Sequence, residues 1–311
     1  MSSAEAIPPH DLDNTPNSSS IKIHSWRLTS KTLPISNASE INAAQDVLGG
    51  LPLPEMTFGN NALVLKEEKS GWEYVFDAVG ALRGVRLGEF QDGDGGVKVG
   101  YAKEWLQSRT DPSSQTPLSY TVAAKPFDWT YTTTYSGHTA PNSPPQLEFR
   151  PADPSNRNHQ IPLAQLTRPD PILFYSEITL FEDELHDNGS STFSVRVRVM
   201  PTCLFLLARL LLRVDGVLFR MHDTRIYHDF STSPPLILKE TGGWELPYNV
   251  VKRHLPSPDL SPLTDPQFVA KVLTTSSVEK TQKEGAQTGW RGLGSTYEVL
   301  ELTSGHQGQG S

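Results

Sequence analysis

Cys203-Leu-Phe-Leu-Leu-Ala-Arg-Leu-Leu-Leu-Arg-Val214 is the most apolar run of the chain, and Asp215-Gly216 separates it from Val217-Leu-Phe-Arg-Met221. Periodicity alone does not distinguish a buried strand from a buried helix in such a run. The Asp-Gly pair decides it, because two apolar runs joined by that dipeptide form a hairpin signal. Upstream, Thr192-Phe-Ser-Val-Arg-Val-Arg-Val199 alternates strictly. Phe193, Val195, Val197 and Val199 face one side; Ser194, Arg196 and Arg198 face the other. Pro171–Phe181 reads as a further long strand, and Asp187-Asn188-Gly189 as the turn that follows it, since Asn-Gly supplies positive φ at little cost. Pairing these segments predicts an antiparallel sheet of at least four strands at the centre of the fold.

Towards the N-terminus the signals are shorter. Ser39–Leu48 has a helical pattern, with Asn37 or Ser39 able to cap it and Gly49-Gly50 to stop it. Ala62–Leu65 and Trp72–Phe76 read as strands, and Asp77–Arg83 as a short helix. Glu89–Gly96 reads as a turn, Val97–Tyr101 as β, Lys103–Ser108 as a helical turn, and Lys125–Gly137 as pleated surface rich in aromatic and β-branched residues. Residues 138–171 are Pro-rich and polar, a long loop. Beyond Tyr227 the signals weaken until Asp265–Leu273, a short helix with Asp265 as cap and Pro266 at its first position. Residues 1–20 lack the apolar surface that would offset their ordering entropy and are expected to be a disordered tail. The reading is a single domain over 21–274, followed by a mostly disordered extension over 275–311. Within the extension, Trp290–Leu302 is an island that suits an added strand or a short interaction motif.

Composition narrows the function. The chain has 311 residues, 27 Lys and Arg against 35 Asp and Glu, and a formal net charge of -8. That balance argues against nucleic acid as the main partner, because such binding needs a cationic surface. The apolar share is 36%, and the 23 glycines raise it to about 43%, below the ~45–50% of compact domains. No apolar run approaches the ~18 residues of a transmembrane helix, and the first ten residues have no signal-peptide pattern. No membrane partner is expected, and the cytoplasm or nucleus is the expected location. A single cysteine, Cys203, permits no internal disulfide and no Cys-based zinc site, and within its apolar run it reads as a buried thiol.

No phosphate-cradling loop and no Gly-x-Ser-x-Gly elbow is present. His186, Asp187, Asp223 and His228 together could serve a metal-dependent hydrolase. The competing reading is that 182–187 is solvated acidic turn. Arg196, Arg198, Arg209, Arg213, Arg220 and Arg225 recur through the sheet segments. They suit either ordinary strand ion pairs or a polar sheet face that reads a partner's extended peptide.

Six blocks carry a resemblance. They are Leu53–Leu63, Glu104-Trp105 with Ser108-Arg-Thr110, Lys125–Thr133, Leu180–Gly189, Val195–Pro201 and Leu212–His228. In this order they resemble the TOR signalling pathway regulator-like (TIPRL-type, Tap-interacting) family of type 2A phosphatase regulators, across roughly residues 21 to 230. The resemblance implies a non-enzymatic protein, without cofactor or metal. It would bind the catalytic subunits of type 2A protein phosphatases and hold them inactive or steer their assembly, in signal transduction through TOR, with other regulatory subunits as further partners. It implies an α+β fold: a central antiparallel sheet with an α/β layer on one face. The other face would carry a cleft for the phosphatase's acidic, aromatic C-terminal tail. Matching family interface positions are Ile161, Met221 and Asp223. The sheet reading adds Arg196, Arg198 and Arg225 as candidates for a tail carboxylate. Gly80 departs from the family pattern, which has an acidic residue before Ala81-Leu82-Arg83.

Overall fold

The computed structural model describes residues 7–85, 131–153, 155–185, 187–283 and 295–302. The N-terminal part supplies β1 (His10–Thr15), β2 (Ser18–Ile23), β3 (Trp26–Lys31), α1 (Ala38–Val47), β4 (Met56–Thr57), β5 (Ala62–Glu67), β6 (Trp72–Asp77), α2 (Ala78–Arg83) and β7 (His138–Thr139). Then come β8 (Arg150–Pro151), α3 (Leu163–Leu166), β9 (Phe174–Asp183), β10 (Gly189–Val199), β11 (Cys203–Val214) and β12 (Leu218–Asp229). The last elements are β13 (Leu236–Pro247), α4 (Tyr248–Lys252), α5 (Pro266–Lys283) and β14 (Thr296–Glu301). No described helix is long and apolar enough to cross a membrane.

Among the described residues all strand pairs are antiparallel, in two sheets ordered β1-β2-β3-β5-β6-β7 and β4-β9-β10-β11-β12-β13-β14-β8. The expected central hairpins are present. Val214 pairs with Leu218 across the Asp215-Gly216-Val217 loop, where Gly216 has φ 73°. Gly189 is required for a different reason: a Cβ there would fall 1.9 Å from the carbonyl oxygen of Arg213. α1 starts on a capping box, with Asn37 accepting from the backbone of Ser39 and Glu40, and is followed by Gly49 and Gly50 at positive φ.

The inner face of the large sheet carries Phe193, Val195, Val197 and Val199 from β10 and Leu204, Leu206, Leu210 and Leu212 from β11. They pack in one cluster with Ile21, Trp26, Leu28, Leu63, Leu65, Trp72 and Phe76 of the small sheet. The expected α/β layer is therefore mainly a second β-sheet, and the fold is mostly β with few helices. The helical segments Ala38–Val47 and Ala78–Arg83 are too short to cover a face that a six-stranded sheet covers.

Two expectations are corrected. Residues 10–15 and 18–20, read as tail, lie in β1 and β2. β1 is almost wholly exposed and is held by pairing to β2, so it has no apolar alternation to read. The helix read as Asp265–Leu273 runs on to Lys283, across the domain end placed at 274, and Asp265 caps it by accepting from the amide of Gln267. Of the two readings of the island in the C-terminal extension, the added strand holds: Thr296–Glu301 is β14, paired with β13, with Leu300 and Leu302 in the core. The segments read at Glu89–Gly96, Val97–Tyr101 and Lys103–Ser108, and most of Lys125–Gly137, lie outside the described residues. Residues 131–137 have no strand, although Tyr131 is buried.

Candidate functional site

The outer face of the large sheet is covered at its two ends by different pieces of chain. At one end α4 and α5 bury Phe219, Met221 and Leu246. At the other, a strap of residues 157–166 brings Ile161 and Leu166 onto Cys203, Phe205, Tyr227 and Leu238. Two side-chain rows remain between them. Strand register sets one row as Glu177, Arg196, Leu207, Arg225, Glu240 and Tyr297, from β9 through β14. The other is Ser194, Arg209, Asp223 and Gly242. Rows two residues apart along a strand lie about 7 Å from each other. Grooves of roughly 550 Å³ beside Arg196 and Arg209 and 410 Å³ beside Arg225 and Ile161 flank this band.

Its charges are paired. Arg209 grips Asp223 with two bonds, Nε to Oδ1 at 2.7 Å and Nη2 to Oδ2 at 2.8 Å. Arg225 donates to Asp223 Oδ2 at 3.0 Å and to Glu240 Oε1 at 3.1 Å, and its guanidinium lies over the Trp244 ring at 5.6 Å. Arg196 donates to Glu177 at 2.8 Å. A carboxylate held bidentate by arginine is well fixed. This places Asp223 as a clamp between two arginines.

The residues expected at a partner site divide into three groups. Ile161, Arg196 and Arg225 line the grooves. Met221 and Asp223, at 0% and 1% exposure, are buried in the described structure, Met221 under α5 and Asp223 beneath its arginines. Arg198 faces the strap: it donates to the carbonyl of Leu166 at 3.1 Å and lies over Phe205. Tyr227 anchors the same strap by donating to Gln165. Arg209, Glu240 and Tyr297 also belong to the band; Arg209 stood among the recurring sheet arginines but outside the site candidates, and Glu240 and Tyr297 were missed. Glu240 and Tyr297 needed the register of β13 and β14.

The hydrolase reading fails geometrically. Asp223 and His228 are five residues apart on one strand, so they face opposite sides. His228 lies between the sheets, its ring 4.7 Å from Trp26, with Nδ1 2.9 Å from the carbonyl of Leu236. Asp187 sits at an exposed turn, and His186 lies outside the described residues. Among the described residues no group of three His, Cys, Asp or Glu side chains could hold a metal ion. Burial pushes the Cys203 thiol above its usual range, as expected for a structural cysteine.

The model of the TIP41-like family matches residues 56–252. The protein named type 2A phosphatase activator TIP41 in Saccharomyces cerevisiae is 36% identical over 267 residues, 81% of this chain and 71% of that protein. The TIP41-like protein of Homo sapiens is 41% identical over 204 residues, 66% of this chain and 69% of that one. The Schizosaccharomyces pombe protein named type 2A phosphatase activator tip41 is 35% identical over 231 residues, 74% of this chain and 83% of that one.

Proposed function

This chain belongs to the TIP41-like family, and on that premise we propose that it is a non-enzymatic regulator that binds the catalytic subunits of type 2A protein phosphatases. The docking surface is the band between α5 and the strap, and its occupant is the catalytic subunit's acidic, aromatic C-terminal tail. The observation that carries this is the row Glu177, Arg196, Leu207, Arg225, Glu240 and Tyr297, which crosses six strands between two apolar walls. Six strands span about 24 Å, which an extended peptide of about seven residues would cross. Arginines suit its carboxylates, and Ile161 and Tyr297 suit its aromatic side chains. The regulation acts in TOR signalling, in the cytoplasm and nucleus. Two relatives are named activators, so the sign of the effect is read by adding the protein to an active catalytic subunit.

Arg225→Gln and Arg196→Gln test the surface. Asp223 keeps both bonds from Arg209 in Arg225→Gln, so the fold should persist. A central interface arginine is worth about 2 kcal/mol, and each variant is expected to weaken binding of the catalytic subunit about 30-fold, Arg196→Gln with an unchanged melting temperature and Arg225→Gln, which leaves Glu240 without its described partner, with a lower one. Full affinity in the double variant would place the interface elsewhere.

A further inference from the structure

Arg225 already has an anionic partner on each side before any ligand arrives. The two partners differ. Asp223 is buried and held by two further bonds from Arg209, so it stays. The Glu240 side chain is 21% exposed and has one described bond, the one to Arg225. Arg209, Arg225, Asp223 and Glu240 sum to zero charge. Glu240 and Arg225 also line the groove that holds Ile161 and the half-exposed ring of Tyr297.

We propose that Glu240 is a resident carboxylate that sets the specificity of the band by occupying the arginine a ligand carboxylate must use. This rests on the reading that the band takes an acidic, aromatic peptide. An incoming carboxylate exchanges with Glu240 on Arg225 and gains little from charge alone. Net affinity then comes from an apolar or aromatic side chain seated beside Ile161 and Tyr297. Acidic peptides without such a side chain are refused, a discrimination built from an occupied site rather than a clash. Trp244 under the guanidinium and the clamp on Asp223 keep Arg225 in place while its outer partner changes.

The test is calorimetry of Glu240→Gln and Glu240→Ala with a synthetic peptide of the catalytic subunit's C-terminal residues and with a control peptide whose aromatic residues are alanine. Melting temperatures check the fold of both variants. With Glu240 neutral or absent, the aromatic peptide is expected to bind about five- to tenfold tighter, because one net ion pair is gained where wild type only exchanges one. The affinity should also fall more steeply with added salt than in wild type, and the control peptide should become measurable. A merely structural role for Glu240 would not change the salt slope. Unchanged or weaker binding by both folded variants overturns the resident-carboxylate role and leaves the docking surface intact. Failure of wild type and variants alike to bind the peptide overturns both.

Discussion

Asp223 shows how a residue can matter to a surface it does not form. Its carboxylate is buried and answers two guanidinium groups, so truncation leaves Arg209 and Arg225 short of a counter-charge. Breaking a buried ion network by removing one member costs about 3–5 kcal/mol. Asp223→Ala is therefore expected to lower the urea midpoint as well as binding. Equal stability of the variant and wild type would mean that the clamp is not structural. Met221 follows the same logic, since it fills the cluster under α5. The arginines at the band's surface are the cleaner probes of contact.

Two buried histidines give the molecule a pH signature. Burial holds His222 and His228 below the ordinary 6.5, against the opposing pull of Asp223 on His222 and of the Leu236 carbonyl, Asp229 and Glu67 on His228. The folded state thus resists a proton that the unfolded chain accepts. Stability is unaffected well above pH 6.5 and falls as the pH drops below it. The melting temperature is expected to decrease between pH 7.5 and pH 5.5, and to decrease less in His222→Asn. A flat profile would contradict the assignment of both as neutral in the folded state.

At the scale of elements, β14 changes the reading of the C-terminus. Leu300 and Leu302 join the core, and Glu298 pairs with Lys239 at 2.9 Å. Burying a leucine is worth about 1.5–3 kcal/mol. A chain ending at residue 283 is therefore expected to melt at a clearly lower temperature, with β13 left as an edge. An unchanged melt would return 290–302 to the role of an accessory interaction motif.

The elements legible in the sequence were those with one periodicity and a marked turn: β9 to β12, β5, β6 and the two capped helices near the N-terminus. β13 was not legible, because Lys239, Glu240 and Gly242-Gly243 interrupt its apolar pattern; its neighbours β12 and β14 supply the pairing instead. β1 was missed for the opposite reason, being a polar edge with no buried face. The arginine face of β10 could be read from alternation, whereas β12 sets Arg220 and Arg225, five residues apart, on opposite faces. Which arginine answers which carboxylate could not be read, since those pairs join residues up to 25 positions apart through cross-strand register.

The whole molecule is two sheets packed face to face, with the outer face of the larger one walled at both ends. The first sheet, α2 and the 131–147 segment pack against the inner side, and the outer face presents a band of paired charges. Among the described residues no group of three His, Cys, Asp or Glu side chains could hold a metal ion, and the role proposed for this surface is that of a track for an extended chain.

The most direct measurement is calorimetric binding of the full-length protein to a type 2A phosphatase catalytic subunit, with and without the last few residues of its C-terminal tail. The account requires binding to the intact subunit that weakens at least tenfold when the tail is removed. Equal affinity for both forms would contradict the central claim, because the band between α5 and the strap would then not be where the phosphatase is held.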